Sequence, residues 1–155
     1  MSNSKKLVNA TDAAYIAGLF DGEGSVDFAR RKEKRGNVQS ILMRIEMTDE
    51  NVLNWVHETL GVGTVRKRNR SPSRKAHWKD AWVYSVRFRD ALHVCKILWP
   101  HAIVKLHKIE QIIDHYEPDI QGLDDNIVDL AAERELREWL INMKLSNYWN
   151  KLKNI

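Results

Sequence analysis

Two carboxylates spaced by single glycines, Asp21-Gly22-Glu23-Gly24, end an apolar run, Ile16-Ala17-Gly18-Leu19-Phe20. Carboxylate oxygens are hard donors, and glycine leaves the neighbouring carbonyls open to approach. A carboxylate of this pair and the Gly22 carbonyl are therefore a candidate site for a hard divalent cation of the Mg²⁺ type. If the apolar run is a helix, the negative end of its dipole adds attraction for a cation there. Taken alone, the same residues also suit a solvated turn, and the further acids of an EF-hand loop are missing. Other chemistries lack their residues. There is no GxxxxGK[ST] phosphate loop, and Gly61-Val62-Gly63 lacks the third glycine of a dinucleotide turn. The histidines form no HExxH, and Cys95, the single cysteine, excludes an internal disulfide and a CxxC site.

The elements that must position these acids follow from patterning. Thr11-Asp12 offers an N-cap to a helix that ends at Gly22. Ala14, Ala17 and Gly18 give that helix a small surface on which a second helix can approach closely. Residues 24–32 alternate weakly, as a strand, and Lys34-Arg35-Gly36-Asn37 is a turn signal. Residues 38–47 alternate clearly, Ile41, Met43, Ile45 and Met47 on one face, Ser40, Leu42, Arg44 and Glu46 on the other. Asp49 caps a helix with Val52, Leu53, Val56 and Leu60 on its stripe, stopped by Gly61. Strands over 62–70 and 81–89 flank a loop that begins at Ser71-Pro72-Ser73. Helices follow at about 90–98 and 102–116, broken by Pro100 and ended near Pro118, and the tail keeps helical spacing. The order α-β-β-α-β-β-α predicts an α+β fold, with one four-stranded antiparallel sheet, helices on one face and the other face open. At 155 residues the chain is one domain, read as a core over 1–118 with a helical extension of the same domain over 119–155.

Charge points to a polyanion. The formal net charge is only +4, with a pI near 9.2. Arg30, Arg31, Lys32, Lys34 and Arg35 cluster in the first hairpin, and Arg66, Lys67, Arg68, Arg70, Arg74, Lys75 and Lys79 in the second, whereas residues 119–138 are acidic. A two-stranded ribbon enters the major groove of double-stranded DNA, where arginine bonds guanine bidentately. Arg30, Lys32, Ser40, Arg44, Arg66, Arg68, Arg70, Trp82, Tyr84 and Arg87 are candidate DNA contacts on the strands, and Lys75 a phosphate contact in the loop. Arg66, Arg68 and Arg70 share one face at period two, with Lys67 on the other. A solvated surface with no partner is the alternative reading of the same charges. No apolar run approaches the roughly 18 residues of a membrane span, and the first residues lack the apolar stretch of a signal peptide. The expectation is an intracellular protein, in cytoplasm or organelle matrix, with no membrane partner.

Residues 16–24, Ile-Ala-Gly-Leu-Phe-Asp-Gly-Glu-Gly, resemble the signature of the LAGLIDADG homing endonucleases. Ile16, Phe20, Gly22 and Glu23 replace the Leu, Ile, Ala and Asp of that signature. Asp49-x-x-Val52-Leu53-x-x-Val56-x-x-x-Leu60-Gly61-x-Gly63-x-Val65 resembles the family's second helix and turn, and Leu98-Trp99-Pro100 with Lys105 and Lys108 its later helix boundary. The resemblance implies an αββαββα fold with a saddle-shaped sheet on DNA, and site-specific double-strand cleavage that needs Mg²⁺ or another divalent cation such as Mn²⁺. It further implies an intron-encoded origin and short 3′ overhangs. One copy of the motif implies the homodimeric branch. Two motif helices would pack at a two-fold axis through Ala14, Ala17 and Gly18, bring the two Glu23 side by side, and read a long pseudo-palindromic site. The resemblance makes Glu23 the catalytic metal ligand beside the Gly22 carbonyl, Asp21 a supporting acid, and Lys105 the basic residue near the cleaved phosphate. Met47 stands where relatives often keep a polar, water-organising residue, a departure that Glu46 or Thr48 would have to make good. Two other readings stay open: a DNA-binding regulator that has lost cutting, and an RNA maturase, less favoured. Glu23 argues against the first.

Overall fold

The computed structural model describes residues 7–34, 36–69 and 78–117, together with helical positions 135, 138, 139, 141–143 and 145. The chain divides into two units, Met1–Glu117 and Pro118–Ile155, and the first holds every element described below. Helix α1 (Ala10–Glu23) leads into strand β1 (Gly24–Glu33) and strand β2 (Gly36–Met47). Helix α2 (Glu50–Leu60), strand β3 (Thr64–Lys67) and strand β4 (Trp82–Arg87) follow, then helices α3 (Phe88–Leu98) and α4 (Leu106–Tyr116). The four strands form one sheet in the order β1-β2-β4-β3, with all three pairings antiparallel. This is the α+β architecture that the patterning predicts.

The alternation of β2 sets the layers. Ile41, Met43 and Ile45 are buried against the helices, as are their cross-strand partners Tyr84 and Val86 in β4. From the helices, Ile16, Ala17 and Phe20 of α1, Leu53, Val56 and Leu60 of α2, Val94, Cys95 and Leu98 of α3, and Ile109 and Ile112 of α4 complete one core. Each large apolar side chain removed from water there contributes roughly 1.5–3 kcal/mol. Among the described residues of this unit no helix covers the opposite face of the sheet, and Leu42, Arg44, Ser85 and Arg87 line a concavity of about 910 Å³ there with Thr64 and Arg66.

Several boundaries differ from the sequence reading for identifiable reasons. The α1 cap is Asn9, whose side chain accepts from the Asp12 N–H at 2.8 Å, and not Thr11-Asp12. Helix α1 runs through Glu23, and the Gly24 N–H closes its last turn on the Phe20 carbonyl. A Cβ on Gly24 would lie 2.1 Å from the Phe20 ring and 2.4 Å from its carbonyl oxygen, so no other residue fits this exit. Strand β3 starts at Thr64 and not at 62 because Gly63 bends the chain at φ +91, where a Cβ would lie 2.7 Å from the Tyr84 ring. Helix α4 starts at Leu106 and not near 102, because the backbone N–H groups of Ile103 and Lys105 are bonded to the Asp21 carboxylate.

Cys95 is fully buried, its thiol 3.4 Å from the Met43 sulfur, and burial pushes its pKa far above the ordinary range. A thiolate is the reactive form, so this thiol is inert while the protein is folded. Native protein is therefore expected to resist an aromatic disulfide reagent at neutral pH, labelling only as fast as it unfolds. Rapid stoichiometric labelling of native protein would contradict the packing of α3 on β2.

Candidate active site and nucleic-acid interface

The C-terminus of α1 is where the singled-out chemistry meets. Asp21, Gly22 and Glu23 form its last turn, and the residue after them opens β1. Asp21 turns inward. Its two carboxylate oxygens accept from the N–H of Ile103 at 2.7 Å and of Lys105 at 2.9 Å. Lys105 returns the contact, its Nζ donating to the Phe20 carbonyl at 3.2 Å and the Asp21 carbonyl at 2.5 Å. The Phe20 carbonyl also accepts from the Gly24 N–H, and a cation on these last carbonyls opposes the negative end of the dipole. Asp21 and Lys105 thus clamp the 102–105 turn to the end of α1.

Glu23 turns outward. It is exposed, and among the described residues it makes no hydrogen bond or ion pair. The clamp therefore presents one uncommitted carboxylate, beside the exposed Gly22, at a fixed helix end. Its donors, a carboxylate and a backbone carbonyl, are of the hard-oxygen type that suits Mg²⁺. Among the described residues no group of three or more His, Cys, Asp or Glu could hold a metal. Asp21→Ala would orphan two backbone N–H groups, and we expect a loss of about 1–3 kcal/mol, measurable by urea denaturation. Unchanged stability would show that the clamp does not hold the turn.

The small-residue face of α1 is partly as expected. Ala14 and Gly18 are exposed, and a Cβ on Gly18 would meet nothing within 4 Å. Ala17 is a correction: it is fully buried against the core and cannot face a second helix. Gly22, four residues after Gly18, takes its place on the exposed line and has the same open space. Tyr15 flanks that line, exposed and edge-on to Trp55 of α2 at 5.5 Å.

Register decides which sheet residues share the open face. Opposite residues on antiparallel strands point to the same side. In β2 the open face carries Ser40, Leu42, Arg44 and Glu46, as the alternation predicts. In β3 it carries Thr64 and Arg66, partners of Ser85 and Val83. Arg68, just beyond β3, reaches Glu46 from that side, whereas Lys67 pairs with Asp80 at 2.6 Å. Arg87, opposite Leu42, completes the set and lines the concavity. Arg70 and Lys75 lie outside the described residues.

Four expected DNA contacts are displaced. Tyr84 and Trp82 belong to the helix side: Tyr84 is buried, its hydroxyl donates to the Val62 carbonyl at 2.9 Å, and Trp82 packs against the core. Val83, Ser85 and Arg87 are the open-face residues of β4. Arg30 and Lys32 are exposed, but they share the face of Val26 and Phe28, not that of Arg44. Phe28 is covered by His115 of α4 at 5.9 Å. Met47 likewise packs on the core, and Glu46 is the open-face residue at that end of β2. Residues absent from the sequence reading also emerge: Asp27, on the open face and paired with Arg44, and Ser85, 3.3 Å from the Thr64 hydroxyl. The alternation of 82–87 carried the signal for Ser85, since Trp82, Tyr84 and Val86 form one wholly apolar set and leave Ser85 with Val83 and Arg87 in the other.

A protein-family model described as LAGLIDADG-like domain matches residues 10–98, from α1 through α3. The chain belongs to the LAGLIDADG family. Its fold is that of the LAGLIDADG homing endonucleases. The archaeal intron-encoded homing endonuclease I-Vdi141I, solved in complex with DNA, superimposes with a TM-score of 0.58 at 17% identity, over 86% of this chain and 83% of that one. The homing endonuclease I-CvuI, solved in complex with the I-CreI target and Mg, gives 0.52 at 20% identity, over 71% and 74% of the two chains. The homing endonuclease I-TnaI gives 0.54 at 22% identity, over 68% and 73%. No curated protein sequence matches the chain significantly. Among the described residues of this LAGLIDADG chain, no helix is long and apolar enough to cross a membrane.

Proposed function

We propose that this LAGLIDADG protein is a homodimeric, divalent-metal-dependent endonuclease that cuts both strands of double-stranded DNA at a long pseudo-palindromic site. The observation that carries the reading is Glu23, an exposed carboxylate with no partner among the described residues, at a helix end clamped by Asp21 and Lys105. The open sheet face with Arg44, Arg66 and Arg87 supports DNA as the substrate. Relatives of this fold are described with target DNA in the presence of Mg or Ca, which supports a divalent cation.

In this mechanism the arginines of the sheet hold the duplex in register, through base edges in the major groove and phosphates at its rim. Two copies pack through Ala14, Gly18 and Gly22, and each contributes one Glu23 near the dyad. Glu23 and the Gly22 carbonyl would hold Mg²⁺, or Mn²⁺ in its place, and a cation held there would supply Lewis-acid polarisation of a phosphoryl oxygen. Asp21 and Lys105 keep the helix end in place, so Glu23 is positioned before DNA arrives, and the Lys105 ammonium adds positive charge beside the phosphate.

The test is incubation with a randomised DNA library and Mg²⁺, followed by sequencing of the cut ends. The expected result is one enriched, pseudo-palindromic family of ends with short 3′ overhangs, absent when EDTA is added. Enrichment by binding without cut ends would favour the inactive regulator. Retention of intron RNA in preference to DNA would favour the maturase.

A further inference from the structure

Two arginines on the open face are each held by a carboxylate of that same face. Arg44 of β2 pairs diagonally with Asp27 of β1, and Arg68 reaches across Val83 of β4 to Glu46 of β2. The four side chains are between 37% and 55% exposed, and ion pairs in that setting contribute little to stability. Acids are also a poor choice on a surface that meets phosphates, since bound DNA strips their water and repels them. Away from a cation site, they are suited to such a surface only where the DNA offers a donor. In the major groove the donors are few: the N4 amino group of cytosine and the N6 amino group of adenine. Arginine has the complementary need and bonds O6 and N7 of guanine. A G·C pair presents both edges side by side, so one arginine with one neighbouring carboxylate matches it as a unit.

We propose that Asp27 and Glu46 are specificity-determining residues: each accepts from the amino group of a cytosine whose paired guanine is read by Arg44 or Arg68. This rests on the DNA-binding reading above. The Arg–carboxylate contact in the free protein holds the two side chains adjacent, in the arrangement the base pair requires. In a dimer each couple specifies one G·C pair in each half-site.

The experiment is a binding-site selection in EDTA, so that no strand is cut, with wild-type protein, Asp27→Ala and Glu46→Ala. The selected target is then remade with pyrimidin-2-one, which lacks the amino group, in place of the cytosine in question. Loss of the amino group should weaken wild-type binding about tenfold per contact and leave the matching alanine variant unaffected. Each variant should lose its cytosine preference at one position per half-site and keep it elsewhere. A thermal melt identifies any variant that fails to fold, and either variant alone suffices. If both variants bind all sequences more tightly with unchanged preference, the acids only restrain the arginines and the proposal is overturned. It is overturned as well if the analogue weakens wild type and variant equally. A wild-type protein that selects no DNA at all overturns the functional reading itself, a result distinct from the other two.

Discussion

Glu23→Gln is expected to give a folded protein that binds its target at least as tightly as wild type and cuts it at least about a thousandfold more slowly. The structural reason for the first half is that Glu23 is exposed and has no protein partner among the described residues, so its charge supports no contact of the fold. Removing a negative charge that faces phosphates relieves repulsion. The second half follows because glutamine keeps the shape but is a neutral and much poorer ligand for a hard cation. Single-turnover cleavage in Mg²⁺ and titration of DNA without metal separate the two effects. Retained cutting would remove Glu23 from the mechanism. Loss of folding would show that the residue has a structural task.

Gly18→Leu is expected to convert the dimer to a folded monomer that does not cut. Open space around a Cβ at this position means the chain itself can accept a larger side chain. Leucine is also the better helix former, by roughly 0.8–1 kcal/mol at an exposed interior position. The monomer's melting temperature should therefore stay level or rise while association is lost, which distinguishes a disrupted interface from a damaged core. Ala17→Leu should behave in the opposite way, because Ala17 is fully buried and overpacking destabilises the fold itself. Equilibrium sedimentation of wild type and both variants decides this. A wild-type protein that is monomeric alone and on DNA would refute the dimer.

The contrast between Ala17 and Gly18 illustrates what could be read from the chain. The small residues at 14, 17, 18 and 22 all lie within a helical turn or two of one another, and composition does not say which of them meets the sheet. Packing decides it: Ile16, Ala17 and Phe20 enter the core, which leaves 14, 18 and 22 outside. Strand β2 was legible because its apolar and polar residues alternate from Ser40 to Met47 with Leu42 the one exception. Strand β1 was less so, since Arg30, Arg31 and Lys32 are consecutive and any register exposes at least one of them. Period two puts Arg30 on the face of Phe28, but only the pairing with β2, Phe28 opposite buried Ile41, assigns that face to the helix side. Strand β4 misled for another reason: Trp82 and Tyr84 suit both a core and a stacking surface, and the Val62 carbonyl that takes the Tyr84 hydroxyl lies 22 residues away. The motif at the end of α1 was fully legible as a pair of acids, but their division of labour was not. Asp21 serves backbone groups 82 and 84 residues further on, a long-range contact with no local signature.

The most direct measurement is the position of the cut phosphates on each strand of a single selected target, mapped with end-labelled duplex in Mg²⁺. The account predicts one cut per strand, the two placed symmetrically about the centre of the pseudo-palindrome and both lost in Glu23→Gln. A duplex that is bound in Mg²⁺ but stays intact, or cuts that persist without Glu23, would contradict it.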